Sequence, residues 1–350
     1  MSNHLPVIVN GSFLAQPPTG VQRYAIEIYR HLKKSLPILT LVAPKNIHTP
    51  AIANELEAII IGRFTGHLWE QLELYRYVKK RKALLLCLDM KSPLLYRKKI
   101  ITIHDLNFLY NPAWVPKKFY YFYRFMVTAG ARQSLAILTV SQFSKDEVTR
   151  FLKVPPAKVT VIYNATPAHF VKNPEDSTAE VQGQYILSVS STDPRKNIDR
   201  LIKSFAQLKL PDVQLVLVGL PHRKDIDYTS VQGNILFLGH VDDQKLMNLY
   251  QHATAFVYPS MYEGFGIPPL EAMQYGCPVV AAKTSSLPEV CGDAALYVDP
   301  FSEQAIGEGI KKILFSYTLR EKLIEAGYQR IQLFSWSKSV DVLKKVLEVY

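Results

Sequence analysis

Residues 258–280 read Tyr-Pro-Ser-Met-Tyr-Glu-Gly-Phe-Gly-Ile-Pro-Pro-Leu-Glu-Ala-Met-Gln-Tyr-Gly-Cys-Pro-Val-Val. The apolar run Ala255–Tyr258 leading into them reads as a buried strand that ends at Pro259, and Pro278–Ala282 reads as the next strand. Between the two, Pro268-Pro269 fix φ at a helix start, where a missing N–H costs nothing. The helix is expected over Leu270–Tyr275, stopped by Gly276 as a left-handed cap. Strand, loop, helix and strand in this order form a βαβ unit, and such units build parallel sheets with right-handed crossovers. The loop carries Glu263, Gly264 and Gly266. Glycines let backbone N–H groups approach a ligand and the helix N-terminus adds the positive end of a dipole, so the loop reads as an anion site. Glu263 faces the same pocket, and Glu271 follows eight residues on, inside the first helical turn. Ionised carboxylates only accept hydrogen bonds, so two of them here suit the hydroxyls of a sugar or a ribose. Acidic residues also favour a first helical turn for the dipole alone.

The same alternation runs outward in both directions. In the second half Tyr185–Ser190, Val213–Gly219, Ile235–Leu238 and Ala295–Val298 read as further strands. In the first half Leu5–Asn10, Ile38–Ala43, Ala83–Leu88, Lys99–Ile103, Ala136–Val140 and Lys158–Ile162 do, with a helical pattern over Val21–Lys34. After the strand at Tyr185 comes Ser190-Ser-Thr-Asp-Pro-Arg-Lys-Asn-Ile-Asp, which opens a helix running on through Leu201, Phe205 and Leu208. Arg195 and Lys196 therefore stand at the C-terminal end of a strand, where open α/β sheets bind ligands. Arg supplies a bidentate fork and Lys a point charge, a suitable pair for a diphosphate. Two cations at a helix start oppose its dipole unless an anion is also present. Thr166–Gln184 is poor in hydrophobes, with Pro167, Pro174 and Asn-Pro-Glu-Asp-Ser-Thr, which is linker chemistry. The chain thus divides into two doubly wound domains, 1–170 and 171–335.

Composition narrows the class. A chain of 350 residues with 48% hydrophobic and 20% charged side chains is globular. No apolar run approaches the ~20 residues of a membrane span. The first residues, Met-Ser-Asn-His-Leu-Pro, have no basic n-region and no small-residue cleavage site, so a cytoplasmic protein is expected. Cys87, Cys277 and Cys291 have no C-x-x-C spacing and read as reduced thiols. The net charge of +11 is uneven: residues 1–170 hold 23 basic and 9 acidic side chains, residues 171–350 hold 18 and 21. That asymmetry points to different partners for the two halves.

With these segments on the page, the sequence resembles a known family. Ser-x-x-x-Pro-Arg-Lys-Asn, Val-Gly-Leu, Leu-Gly-His-Val, Tyr-Pro-Ser-x-Tyr-Glu-Gly-Phe-Gly-Ile-Pro-Pro-Leu-Glu-Ala-Met and Gly-x-Pro-Val-Val together look like the retaining glycosyltransferases of family four (glycosyl transferases group 1). The resemblance covers nearly the whole second half and is looser in the first. It implies the GT-B fold, two Rossmann-like domains facing across a cleft. It also implies that the last helix, 336–350, packs back on the first domain. By the same resemblance, Arg195 and Lys196 hold the donor diphosphate. Glu263 is the first acid of an E-x7-E pair, near the donor sugar, and Glu271 is the second, on the ribose. The backbone of Gly264, Phe265, Gly266, Ile267 and on to Leu270 contacts sugar and phosphate, while Gly219 and the turn Gly239-His240-Val241 contact the base. In the first half, Gly20, in Pro-Thr-Gly-Val-Gln-Arg-Tyr, faces donor phosphates and acceptor. His104-Asp105, at the end of Ile-Thr-Ile-His-Asp-Leu, points into the cleft, and Ser141 lines it. The remaining histidines are left as surface or core residues.

The reaction so implied moves a hexose from a nucleotide diphosphate sugar to an acceptor hydroxyl with retention, in polysaccharide, O-antigen or glycolipid assembly, with a mannosyl group favoured. The leaving group is a diphosphate, so the chief need is to stabilise developing negative charge. Arg195, Lys196 and the helix N-terminus meet that need, so no cofactor and no metal is expected. Asp225-Ile-Asp227 matches D-x-D only superficially and reads as polar surface. No carboxylate stands out as a nucleophile, which suits a front-face, oxocarbenium-like route. Expected partners are the nucleotide sugar and a saccharide or lipid-linked acceptor. The basic, aromatic segments 75–82, 96–99 and 117–126 suit an anionic membrane surface. Three alternatives compete. A nicotinamide dehydrogenase would want G-x-G-x-x-G after its first strand, and that is missing. A nucleotide-sugar 2-epimerase would share the architecture. A basic nucleic-acid-binding protein would explain the charge but not the acidic pocket, and carries no motif of that class.

Overall fold

The computed structural model describes residues 6–36, 38–167, 179–189, 191, 193–219 and 234–350. Much of the Thr166–Gln184 linker, Asp225, Asp227, His4, His169 and His222 lie outside the described residues. Two compact units emerge, Met1–Asn164 with Ser335–Tyr350, and Ala165–Phe334.

The first unit is built on seven parallel strands: β1 Val7–Asn10, β2 Thr40–Ala43, β3 Ile59–Ile60, β4 Leu84–Cys87, β5 Lys99–Thr102, β6 Ala136–Thr139 and β7 Val159–Val161. Their order is β3-β2-β1-β4-β5-β6-β7. The chain builds outward from β1 in one direction, then crosses back to β4 and builds outward in the other. β4 and β6 are buried along their whole length, as strands covered on both faces of a parallel sheet must be, which is why they read as apolar runs; the one polar residue, Thr139, donates to the Ile103 carbonyl at 2.7 Å. β3 is absent from the sequence expectation. It is a two-residue edge strand paired through Val42↔Ile59, and both isoleucines are exposed, so it carries no burial signal.

The helix over Trp336–Leu347 belongs to this first unit. Its Trp336 ring meets Tyr24 of the Gly20–Ser35 helix edge-on at 6.1 Å. Ser339 Oγ donates to the Tyr163 carbonyl at 2.6 Å, and Tyr350 OH donates to that of Leu135 at 3.1 Å. The amphipathic pattern of this segment is therefore a packing stripe.

The second unit has six parallel strands: β8 Gln184–Val189, β9 Val213–Val218, β10 Ile235–Gly239, β11 Ala255–Tyr258, β12 Val279–Ala282 and β13 Ala295–Val298, in the order β10-β9-β8-β11-β12-β13. Its core gathers Ile186, Leu215, Val257 and Val280 from the strands, with Leu201, Ile202 and Phe205 from the Ile198–Gln207 helix. The order reverses between β8 and β11, which are hydrogen-bonded neighbours. A ligand crevice is expected outside the carboxyl ends of the strands at such a reversal. The residues that follow β8 and β11 are the two motifs singled out in the sequence, so the topology puts them side by side. The three thiols are buried and free.

Candidate functional site

After β8 the chain makes a single 3-10 turn, Pro194–Lys196, capped by Asp193, whose carboxylate accepts from the Arg195 N–H at 3.0 Å. Asn197 closes the turn in the left-handed region, φ 62°, which Asn tolerates better than most residues. Its amide donates to the carbonyls of Pro259 at 3.0 Å and Pro300 at 2.7 Å. Met261 N–H donates to the Arg195 carbonyl at 2.7 Å. The turn after β8 and the loop after β11 are thereby fastened to each other before any contact between charged side chains is considered.

Glu263 joins the two motifs. Its Oε1 accepts from Lys196 Nζ at 2.6 Å, Ser260 Oγ at 2.6 Å and Tyr258 OH at 2.9 Å. Its Oε2 accepts from Arg195 at 2.9 Å. Arg195 also donates to Asp193 at 2.7 Å and to the Tyr262 carbonyl at 2.9 Å. Lys196 donates to Tyr258 OH at 2.5 Å, with its ammonium 4.9 Å from that ring's centroid. The Glu263, Arg195 and Lys196 side chains keep only 8%, 15% and 14% of their surface. Burial would raise the Glu263 carboxyl, but the Lys196 and Arg195 cations override it and hold it down at about 2. It is a carboxylate at every physiological pH.

The loop backbone is pinned separately. Glu263 N–H donates to Ser285 Oγ at 3.0 Å, and Ser286 Oγ reaches the carbonyls of Glu263 and Phe265 at 2.9 and 2.8 Å. Gly266 is the helix N-cap with φ 95°, and a Cβ there would sit 2.6 Å from Leu287 Cδ2, so this position requires glycine. The helix spans Ile267–Gln274, starting three residues before the expected Leu270 because Pro268 and Pro269 sit inside its first turn. Two corrections follow. Glu271 lies in the second turn, not the first. Within 265–270 only Phe265, Gly266, Ile267 and Leu270 have backbone N–H groups to offer, since prolines have none; the Leu270 side chain is core. Glu271 is buried and accepts from Tyr250 OH at 3.0 Å. Burial, reinforced by Glu271, keeps that phenol protonated far above its ordinary range. Gly219 and Gly239 meet at the edge, Gly219 N–H donating to the Gly239 carbonyl at 2.6 Å; His240 beyond them is exposed and Val241 half-exposed.

In the first unit, His104 follows β5 and is buried. Its Nε2 lies 3.1 Å from the Leu88 carbonyl, which only an N–H can satisfy, and its ring meets Tyr24 edge-on at 4.8 Å. Burial lowers its pKa against the pull of that carbonyl and Asp105, so it is a neutral imidazole. Asp105 accepts from the Asn107 N–H at 3.2 Å. Ser141 is buried and caps the Gln142–Leu152 helix, accepting from the Ser144 N–H at 3.0 Å; Ser144 Oγ in turn donates to the His104 carbonyl at 3.1 Å. Gly20 is the exposed first residue of its helix, which a Thr19/Gln22 capping box starts.

The sequence reading missed Asp193, Tyr250, Tyr258 and Ser260, all of which fix the acids or the cations. Tyr258 and Ser260 had a signal, their place at the end of a parallel strand. Asp89 had the same one, just past β4. Its carboxyl accepts from Ser12 Oγ at 3.3 Å and the Lys91 N–H at 3.1 Å, and burial pushes it up to about 7 with the help of Glu70. Glu70 itself, on the π-helical turn Trp69–Leu74, is buried 3.4 Å from His67 Nδ1.

Two doubly wound parallel sheets in succession, with a largely buried cation pair at the switch point of the second, form the architecture of the GT-B class. Residues 171–330 match the family "Glycosyl transferases group 1", and residues 18–169 match "Glycosyltransferase Family 4". The chain is 30% identical to the O-antigen chain mannosyltransferase B of Escherichia coli, covering 91% of this chain and 93% of that one. It is 28% identical to the O-antigen chain mannosyltransferase RfbU of Salmonella typhimurium, covering 88% and 90%. The crystal structure of Anabaena HepE in complex with UDP and glucose superposes with a TM-score of 0.79 at 18% identity, covering 99% of this chain and 100% of that one. The protein belongs to the group 1 glycosyltransferases.

Proposed function

We propose that the protein is a retaining, metal-independent transferase that moves a hexosyl group, mannosyl favoured, from a nucleotide diphosphate sugar to a hydroxyl of a saccharide or lipid-linked acceptor in O-antigen or related polysaccharide assembly. The observation that carries this reading is the pairing of the largely buried Arg195 and Lys196 at the β8–β11 reversal, beside the helix capped by Gly266. The names of the two relatives, both mannosyltransferases of O-antigen chains, support the sugar and the product.

In this reading the bond from C1 to the diphosphate oxygen breaks and the electron pair leaves with that oxygen. The acceptor oxygen bonds to C1 on the same face, and its proton passes to the departing diphosphate. Arg195, Lys196 and the helix N-terminus stabilise the charge that develops. Glu263 and Glu271 accept from donor hydroxyls. The neutral His104 offers a polar contact to the sugar without adding charge. The base lies against Gly219, Gly239, His240 and Val241, while Gly20, Asp105 and Ser141 serve the acceptor side.

The first unit works against an anionic lipid surface, on the cytoplasmic face of the membrane. The Lys117–Gln133 helix supports this: Tyr121 and Phe125 are about two-thirds exposed, and with Arg124, Thr128, Ala129 and Arg132 they line one groove. Among the described residues no helix is long and apolar enough to cross a membrane. Cations and aromatics on one helical face match a lipid headgroup layer, each cation contributing about 1 kcal/mol.

A melting-temperature panel of GDP-mannose, UDP-glucose and UDP-N-acetylglucosamine tests the donor reading. A ligand at about one hundred times its Kd adds about 2.7 kcal/mol, which raises the melting point of a unit of this size by about 5–10 °C. GDP-mannose is expected to do so, and Glu271→Ala to remove the gain. No shift with any of the three would overturn the assignment.

A further inference from the structure

Glu263 is doubly engaged before any substrate arrives. Four donors converge on it, two of them the cations assigned to the donor diphosphate. Counting Asp193 on Arg195, the cluster holds two positive and two negative side chains. A pair of cations so neutralised attracts a further dianion weakly. A diphosphate that took Arg195 and Lys196 while Glu263 stayed would bring its charge against a buried carboxylate, which the low local dielectric penalises.

We propose that Glu263 is a resident counter-ion: the donor diphosphate displaces its carboxylate from Arg195 and Lys196, and the carboxylate returns to them when the spent diphosphate leaves. This rests on the reading of the two cations as the diphosphate site. The exchange needs only a side-chain rotation, because Ser285 and Ser286 hold the backbone of Glu263 at both its N–H and its carbonyl. Tyr258 and Ser260 can follow, since a hydroxyl donates equally to a carboxylate or a phosphate oxygen.

The device distinguishes donor from product. An intact nucleotide sugar brings hydroxyls that the displaced carboxylate can accept from, so it is compensated for leaving the cations. A nucleoside diphosphate without its sugar brings none, and Glu263 competes with it. The carboxylate then opposes the binding of product more than that of substrate, and speeds product release.

Titration calorimetry on the full chain tests this, with inorganic pyrophosphate, GDP, UDP and GDP-mannose against wild type, Glu263→Gln and Ser260→Ala. Gln keeps the shape of the side chain and removes its charge. The expected result is pyrophosphate and nucleoside diphosphate bound at least tenfold more tightly by Glu263→Gln. Ser260→Ala, which loosens the carboxylate by one hydrogen bond, should tighten them two- to threefold. GDP-mannose should gain less than GDP does. Unchanged, weaker or undetectable pyrophosphate binding by Glu263→Gln that melts within a few degrees of wild type would overturn the proposal. If that variant does not fold, the Ser260→Ala result decides alone. The two readings fail separately: a wild type that binds none of the three panel nucleotide sugars defeats the donor site, whereas a wild type that binds one while Glu263→Gln leaves pyrophosphate unaffected defeats only the counter-ion.

Discussion

Lys196→Met separates a residue that stabilises a transition state from one that merely holds a fold together. Methionine keeps an unbranched apolar stem and removes the ammonium, which lies 2.6 Å from Glu263 and 2.5 Å from Tyr258 OH. In the resting protein Glu263 keeps three of its four donors, Arg195, Ser260 and Tyr258. The loss therefore falls below the 3–5 kcal/mol of a fully abandoned buried charge. A cost of about 1–2 kcal/mol lowers the melting point by roughly 2–8 °C for a unit of this size. On the proposed reaction, the departing diphosphate loses one of its two cationic partners in the transition state. Removing one such preorganised donor costs a factor of about 10²–10³ in turnover. The initial rate of nucleoside diphosphate release at saturating donor should thus fall at least a hundredfold in a protein that remains folded at 25 °C. A rate within threefold of wild type would refute the reasoning, as would a raised KM with unchanged kcat, which is the signature of ground-state binding alone. Unfolding at 25 °C would make Lys196 structural.

Two further perturbations probe the first unit. Asp89, held near 7 against 3.8 in an open chain, keeps a proton in the folded state that the unfolded chain has already released, so stability falls as pH rises from about 4 to about 7. Asp89→Asn should therefore gain on wild type by a few kcal/mol at pH 8 and by nearly nothing at pH 4; an equal difference in melting point at both pH values sinks the argument. For the Lys117–Gln133 helix, vesicles of phosphatidylglycerol should sediment the protein and vesicles of phosphatidylcholine should not, and Phe125→Ser with Arg124→Glu should abolish the sedimentation; equal recovery in both supernatants removes the membrane surface.

How much of this was legible follows from what each residue depends on. The strands were readable because segments such as β4 and β12 are buried on both faces and so are apolar without interruption, a property of the segment itself. The edge strand β3 depends on a neighbour, pairing through Val42 with little burial of its own, and left no trace. The site divides in the same way. Arg195, Lys196 and Glu263 could be placed because strand ends in a parallel sheet point at ligands whatever the partners are. That the three bond to one another could not be read, since it follows from β8 and β11 being neighbours, which brings together side chains 67 and 68 positions apart in the sequence. Tyr250, the partner of Glu271, comes from a different helix still, and a lone Tyr at the end of an amphipathic segment looks like any other core aromatic. Ser141, assigned to the cleft by resemblance alone, also caps the Gln142–Leu152 helix, its oxygen accepting from the N–H of Ser144.

The charge asymmetry also acquires a physical account at the level of side chains. The cations that face the proposed donor belong to the acidic half, and each is already matched by a carboxylate at 2.6–2.9 Å. Net charge is thus blind to the proposed diphosphate site, because its two cations are already balanced by Asp193 and Glu263. In the basic half some of the excess is spent internally. Lys99 is fully buried, donating to the Pro93 carbonyl at 2.6 Å with its pKa lowered by burial to about 8, and Arg30 is shared between Glu27 and Glu55. What remains is on the surface, and along the Lys117–Gln133 helix Arg124 and Arg132 share their groove with exposed aromatics rather than with acids. A soluble ligand of high charge would call for cations gathered into a pocket, as Arg195 and Lys196 are. Cations spread along an exposed helix and interleaved with Tyr121 and Phe125 suit a partner that is extended, anionic and apolar beneath its charge, and a lipid bilayer has all three properties.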